Sequence, residues 1–119
     1  MLPAPAQGAI GIEIRKTDTQ TAEAIKSLNH GPTHLTITAE RAFLQALDGS
    51  CRTPIAALAK IKDGGLAFRG EVIAKDGSLR FTRSETLQAP AFTLAHDLGL
   101  RLGRAIKDEI GGRIIWDEA

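Results

Sequence analysis

The chain has 119 residues, 43% of them hydrophobic, with 15 Lys plus Arg against 14 Asp plus Glu and a single Cys. That is the length of one ordinary domain, and a formal net charge of +1 with both signs scattered removes the electrostatic case for nucleic acid or an anionic membrane as main partner. No apolar run approaches the roughly 20 residues of a bilayer span, one Cys excludes an internal disulfide, and an aromatic content of 4% without Tyr leaves no stacking platform for bases.

The first fifteen residues combine a Pro-Ala-rich stub, Met1-Leu2-Pro3-Ala4-Pro5, with Gly8-Ala9-Ile10-Gly11-Ile12-Glu13-Ile14-Arg15. The stub lacks the basic start and apolar run of a secretory signal, so a cytoplasmic location is expected. Ile10, Ile12 and Ile14 alternate as in a half-buried strand from Gly8 to Arg15. That strand has no hairpin partner nearby, and one strand cannot satisfy its own backbone groups. It reads as part of a sheet supplied by other sequence, and the chain as the C-terminal piece of a longer protein. Residues 1–15 are therefore expected to be disordered or to pack non-natively.

Asp18 is a candidate N-cap for a short helix carrying Ala22, Ile25 and Leu28 on one face, ended by Asn29-His30-Gly31. Pro32 suits the first turn of a second helix, in which Leu35, Ala39, Ala42, Phe43, Ala46 and Leu47 form an apolar stripe that stops at Asp48-Gly49. Cys51 then falls on a turn before Pro54. Three strand-like runs follow, Ile55 to Ile61, Leu66 to Ala74 and Leu79 to Thr86, separated by the hairpin chemistry of Asp63-Gly64-Gly65 and Asp76-Gly77. In the middle run Leu66, Phe68 and Val72 face the core, with Arg69, Glu71 and Lys75 on a wet face. A last helix, Pro90 to Ile110, presents Ala91, Leu94, Ala95, Leu98, Leu102, Ala105 and Ile106 and ends at Gly111-Gly112. The predicted fold class is α+β: a three-stranded antiparallel sheet with helices on one face, preceded by a strand and helix that belong to an upstream domain and its connection. The divisions are 1–15, the return strand; 16–30, the connecting helix; and 31–119, a domain that closes its own core.

Few residues could carry chemistry. Cys51, in Gly-Ser-Cys-Arg-Thr-Pro, is the one strong nucleophile; the negative end of the preceding helix raises its thiol pKa and Arg52 lowers it, and sequence does not decide between them. Taken alone, a lone Cys is more often a small buried hydrophobe. A protease-like pair would need a His base, and none of His30, His34 and His96 is indicated by spacing. His30 and His34 straddle a helix start and have no third ligand in range, so no metal site is expected. Gly99 and Gly103 have the spacing of close packing, here expected against the sheet. Gly8-Ala9-Ile10-Gly11 fails the G-x-G-x-x-G pattern. Arg15 and Arg52 could pair with carboxylates, although solvated arginines are commoner.

The run Glu40-Arg41-Ala42-Phe43-Leu44-Gln45-Ala46-Leu47-Asp48-Gly49-Ser50-Cys51-Arg52-Thr53-Pro54-Ile55-Ala56 resembles the cofactor-attachment motif of the porphobilinogen deaminase family, also called hydroxymethylbilane synthase. It has Glu-Arg, an aliphatic helix face, Gly, a small residue, Cys, a variable residue, a β-branched residue, Pro, an aliphatic residue and a small one. Leu2 to Arg15 resembles the family's return strand, and Leu28-Asn29-His30 the hinge before its third domain.

The resemblance implies that Cys51 carries a dipyrromethane cofactor through a thioether, formed when the soft thiolate adds to the azafulvene left by loss of ammonia from porphobilinogen. It implies a transferase of porphyrin and heme biosynthesis that adds four porphobilinogen units to that primer and releases hydroxymethylbilane. By the same resemblance Gln7 and Gly8 line the cofactor cleft and Arg15 adds positive charge beside it; Arg52 is at the variable position and inherits no role. The catalytic Asp lies in the missing upstream domains, so no catalytic residue is expected in this chain, which is expected to be inactive alone, monomeric, and free of cofactor. The competing reading is a small α+β binding module with an unmodified Cys.

Overall fold

The computed structural model describes residues 2–47, 54–74 and 77–111. Three helices, α1 (Thr19–Ile25), α2 (Gly31–Ala46) and α3 (Phe92–Ile110), accompany three strands, β1 (Ile55–Lys62), β2 (Gly65–Ile73) and β3 (Arg80–Leu87). The strands form one antiparallel sheet in the order β1-β2-β3, and α2 and α3 pack against it and each other. This is the α+β class that the sequence predicts.

The meander follows from its turns. Lys62 pairs with Gly65, leaving Asp63 and Gly64 at φ 52° and 78°, the left-handed pair that a two-residue hairpin requires and that Asp-Gly provides. The register then sets the helix-facing rows: Ile55, Val72 and Phe81; Ala57 and Gly70; Ala59 and Phe68; Leu66 and Leu87. These meet Ala39 and Phe43 of α2, its C-cap Leu47, and Ala95, Leu98, Leu102, Ile106 and Ile110 of α3 in a single core cluster. Each fully buried Leu or Phe contributes roughly 1.5–3 kcal/mol. Phe43 lies against a position in the middle of β2 that has no side chain: a Cβ on Gly70 would stand 2.7 Å from Phe43 Cε1. Its ring also meets Phe68 edge-on at 5.3 Å. Two surface ion pairs, Arg101–Glu85 and Arg83–Glu109, strap α3 to β3.

Three expectations are corrected. Gly99 and Gly103 are close-packing positions, but their neighbour is α2 and not the sheet: Cβ atoms there would stand 2.9 Å from Ala42 Cβ and 2.6 Å from Ala46 Cβ respectively. Glu71 is not on a wet surface; it is 1% exposed and paired with Arg80, because alternation assigns a face of the sheet without saying what covers each place on it. The strand expected from Gly8 to Arg15 is absent, since no described strand lies beside it. Ile10 stays 93% exposed and Ile12 57%.

Asp18 caps α1 as expected, accepting the Thr21 N–H at 2.9 Å. That helix contributes no buried residue and runs into a 3-10 turn, Lys26–Leu28. Asp48, Gly49, Asp76 and Gly112 of the expected ends and turns, and Lys75 of the expected wet face, lie outside the described residues.

Candidate functional site

Cys51 and Arg52 lie in the segment 48–53, outside the described residues, but both ends of that segment are fixed. Leu47, at the end of α2, is buried in the core, and its N–H reaches the Phe43 and Leu44 carbonyls at 3.3 and 3.2 Å. On the other side the Pro54 carbonyl accepts the Ile73 N–H at 3.0 Å, and Ile55 opens β1 in the core. Six residues thus connect two anchored points at the α2 exit and the β1 entry. Two register steps into the sheet from this entry, Ala56 pairs with Glu71, the buried carboxylate held by exposed Arg80.

Gln7 and Gly8 occupy a turn of the stub that is attached to the sheet elsewhere. The Ala57 N–H donates to the Pro3 carbonyl at 2.9 Å, so the stub runs beside the outer edge of β1. Ala6 then takes φ 60°, and its N–H donates to Glu40 Oε1 at 2.6 Å. The second oxygen of Glu40 accepts from Ala59 N–H at 2.9 Å. Burial raises the Glu40 pKa above its ordinary value, and the two amide bonds oppose that rise. Gln7 turns its side-chain oxygen back to the Ala4 N–H at 3.2 Å, and Gly8, at φ 84°, is exposed. The stub is thus tied to the domain at Pro3 and Ala6, while no described bond ties Gly8 to Arg15 to the sheet. Arg15 is exposed and no described contact brings it to Gln7 or Gly8.

One histidine caps a helix and the other two share a groove. His30 is the N-cap of α2, its Nδ1 accepting the Thr33 N–H at 3.2 Å, whereas His34 is inside the helix with its ring 4.7 Å from that of Phe92. His34 and His96 line one 280 Å³ groove with Arg41 and Gln45. Among the described residues no cluster of His, Cys, Asp and Glu could hold a metal, and no helix is long and apolar enough to cross a membrane.

Sequence reasoning missed Glu40 and the cover on Glu71. For Glu40 a signal existed: a carboxylate beside Ala39 and one turn before Phe43 adjoins the apolar stripe and demands partners.

Two helices on one face of a three-stranded antiparallel meander, with a short tethered segment between the second helix and the first strand, define a small open-faced α+β domain. The family model for the porphobilinogen deaminase C-terminal domain matches residues 34–108. The chain is 60% identical over 79 residues to the chloroplastic porphobilinogen deaminase of Pisum sativum, covering 66% of this chain and 21% of that protein. It is 45% identical over 112 residues to the chloroplastic enzyme of Oryza sativa subsp. japonica, covering 93% and 31%. With the porphobilinogen deaminase of Paracoccus denitrificans it shares 43% over 113 residues, covering 95% and 34%. The chain belongs to the porphobilinogen deaminase family, in its C-terminal domain, and spans at most about a third of the length of these relatives.

Proposed function

We propose that this chain is the cofactor-carrying C-terminal part of a hydroxymethylbilane synthase, a cytoplasmic, monomeric transferase of porphyrin and tetrapyrrole biosynthesis. The observation that carries the reading is the extent of the family match. It encloses Cys51, the one thiol of the sequence, in a six-residue segment whose two ends are bonded into the core. A covalent anchor needs a soft nucleophile on a short tether from a rigid body, and this arrangement fits that need.

Cys51 would hold dipyrromethane through a thioether, with Gln7, Gly8 and Arg15 along the cleft. When bound, that group supplies the primer on which four porphobilinogen units are joined with release of ammonia. The chain's own part is to hold and orient: α2 and β1 fix both ends of the attachment segment, and Glu40 fixes the turn that carries Gln7 and Gly8. Proton transfer belongs to a carboxylate of the upstream domains, so the 119 residues alone do not turn porphobilinogen over.

The test is intact mass and peptide mapping of the chain joined to the upstream domains of a relative. A mass increment of two pyrrole units located at Cys51 is expected, and active enzyme with an unmodified Cys51 would overturn the proposal. Consumption of porphobilinogen by the purified chain alone would overturn the assignment of proton transfer to the missing part.

A further inference from the structure

Glu40 occupies a place where an aliphatic side chain would be easier to keep. It is 5% exposed, between Ala39 and Ala42 on the covered side of α2, and an ionised carboxylate there is costly unless hydrogen-bonded on both oxygens. Both oxygens are engaged, and by backbone amides from two different parts of the chain: Ala6 at 2.6 Å and Ala59 at 2.9 Å. β1 is an edge strand, paired with β2 on one side alone. Alternate N–H groups of an edge strand point away from the sheet. Of these, Ala57 N–H is taken by the Pro3 carbonyl and Ala59 N–H, the next one along, by Glu40. The stub thus accompanies β1 for one rung and leaves it at Ala6, and the carboxylate fills the rung that the departing stub vacates.

We infer that Glu40 is a positioning residue whose carboxylate bridges the outer-edge amide of Ala59 and the amide of Ala6, fixing the Gln7–Gly8 turn to the body that carries the attachment segment. The existence of the bridge stands on the geometry alone; its use in placing a cleft rests on the function proposed above. Ala6 is one of two described non-glycine residues at positive φ, a conformation that persists only where surroundings hold it, and the bond to Glu40 is such a hold. No titratable side chain comes from Leu2 to Ile12. β1 brings Lys60 and Lys62 and α2 brings Arg41, all three exposed.

The test uses the isotope-labelled 119-residue chain and follows amide proton shifts with pH. Ala6 and Ala59 should move together, with one midpoint above the ordinary carboxyl value of 4.5. In Glu40→Gln that common step should vanish. The carboxamide puts a donor NH2 in place of one of the two acceptor oxygens, so one amide faces a donor, and with Ala59 held in the sheet it is Ala6 that loses its acceptor. Hydrogen exchange at Ala6 should then quicken at least about tenfold, while protection of Leu66 to Val72 stays as it was. Flat or unequal titrations at Ala6 and Ala59, or unchanged exchange at Ala6 in the variant, would overturn the bridge. The titration in the unsubstituted chain decides the matter even if the variant does not fold. An unmodified Cys51 in the assembled enzyme would leave these amide titrations untouched, so the bridge and the proposed function fail separately.

Discussion

Replacing Gly99 by Ala puts the closest contact of the core under test. In an exposed helix the change would stabilise by about 1 kcal/mol through helix propensity. At Gly99 the added Cβ would overlap the Ala39 carbonyl oxygen and lie 2.9 Å from both Ala42 Cβ and Phe43 N. An ordinary contact begins at 3.4 Å, so Ala42 and Phe43 must retreat by about 0.5 Å and Ala39 farther, and none of these atoms is the free end of a flexible side chain. A gap of that size along the α2–α3 contact forfeits a quarter to a half of each dispersion well, and overpacking of a tight core costs about 1–3 kcal/mol. Since measured overpacking costs include whatever propensity changes accompany them, we expect a net loss of about 1–3 kcal/mol in Gly99→Ala. That is a large share of a stability of roughly 5–15 kcal/mol, and lowers Tm by roughly 5–20 °C. Urea unfolding followed by far-ultraviolet circular dichroism reads the effect as a lower midpoint at an unchanged slope. A variant as stable as the parent, or more so, would refute the reasoning, because helix propensity would then have acted without steric opposition.

Three further outcomes are expected. Phe43→Ala removes a fully buried ring and should cost about 3–5 kcal/mol by the same urea assay. Arg80→Ala leaves the buried Glu71 carboxylate without its guanidinium and should cost about 1–3 kcal/mol; a double-mutant cycle with Glu71→Gln should return a coupling above about 0.5 kcal/mol. Hydrogen bonds first from the Thr21 hydroxyl and then from its N–H lower the Asp18 pKa below 3.8. A carboxyl depressed in the folded state stabilises above its unfolded pKa and loses that contribution as pH falls through the folded one. The cap of α1 should therefore persist below pH 3.8 and be lost only as pH falls through the depressed folded value, read from the Thr21 amide shift.

The sheet was legible because two independent signals agreed on it. Alternation marked the strands and Asp63-Gly64 marked the hairpin, and a two-residue turn of that type leaves a single register. The packing of α3 was half legible: Gly99 and Gly103 state that something comes close, but a small residue has no property that tells a helix from a sheet as its neighbour. Glu71 was misread for a related reason, since its cover depends on Arg80, which comes from the far side of a hairpin. The need of Glu40 for partners was legible from its place beside the apolar stripe, but the partners were not, being backbone amides 34 and 19 positions away that carry no sequence signature. Cys51 is a different case. Its residue type is compatible with an inert thiol, and the role proposed for it rests on the long surrounding motif.

The three isoleucines after the stub show how far a period-two reading extends. Ile10, Ile12 and Ile14 specify a strand with one face to bury, and burial would contribute roughly 1.5–3 kcal/mol for each. Little of that is collected here, with Ile10 93%, Ile12 57% and Ile14 40% exposed, because a strand forms only where an edge offers unpaired amides. The outer edge of β1 is the nearest such place in the fold, yet of its outward amides at Ile55, Ala57, Ala59 and Ile61 the middle two are already bonded to Pro3 and Glu40. The stub therefore stops the isoleucines from adding to this sheet at the same time as it delivers them to its rim. A period-two pattern states a demand for cover, and the bonds of Pro3 and Glu40 determine that this demand is not met by the sheet the segment is tied to.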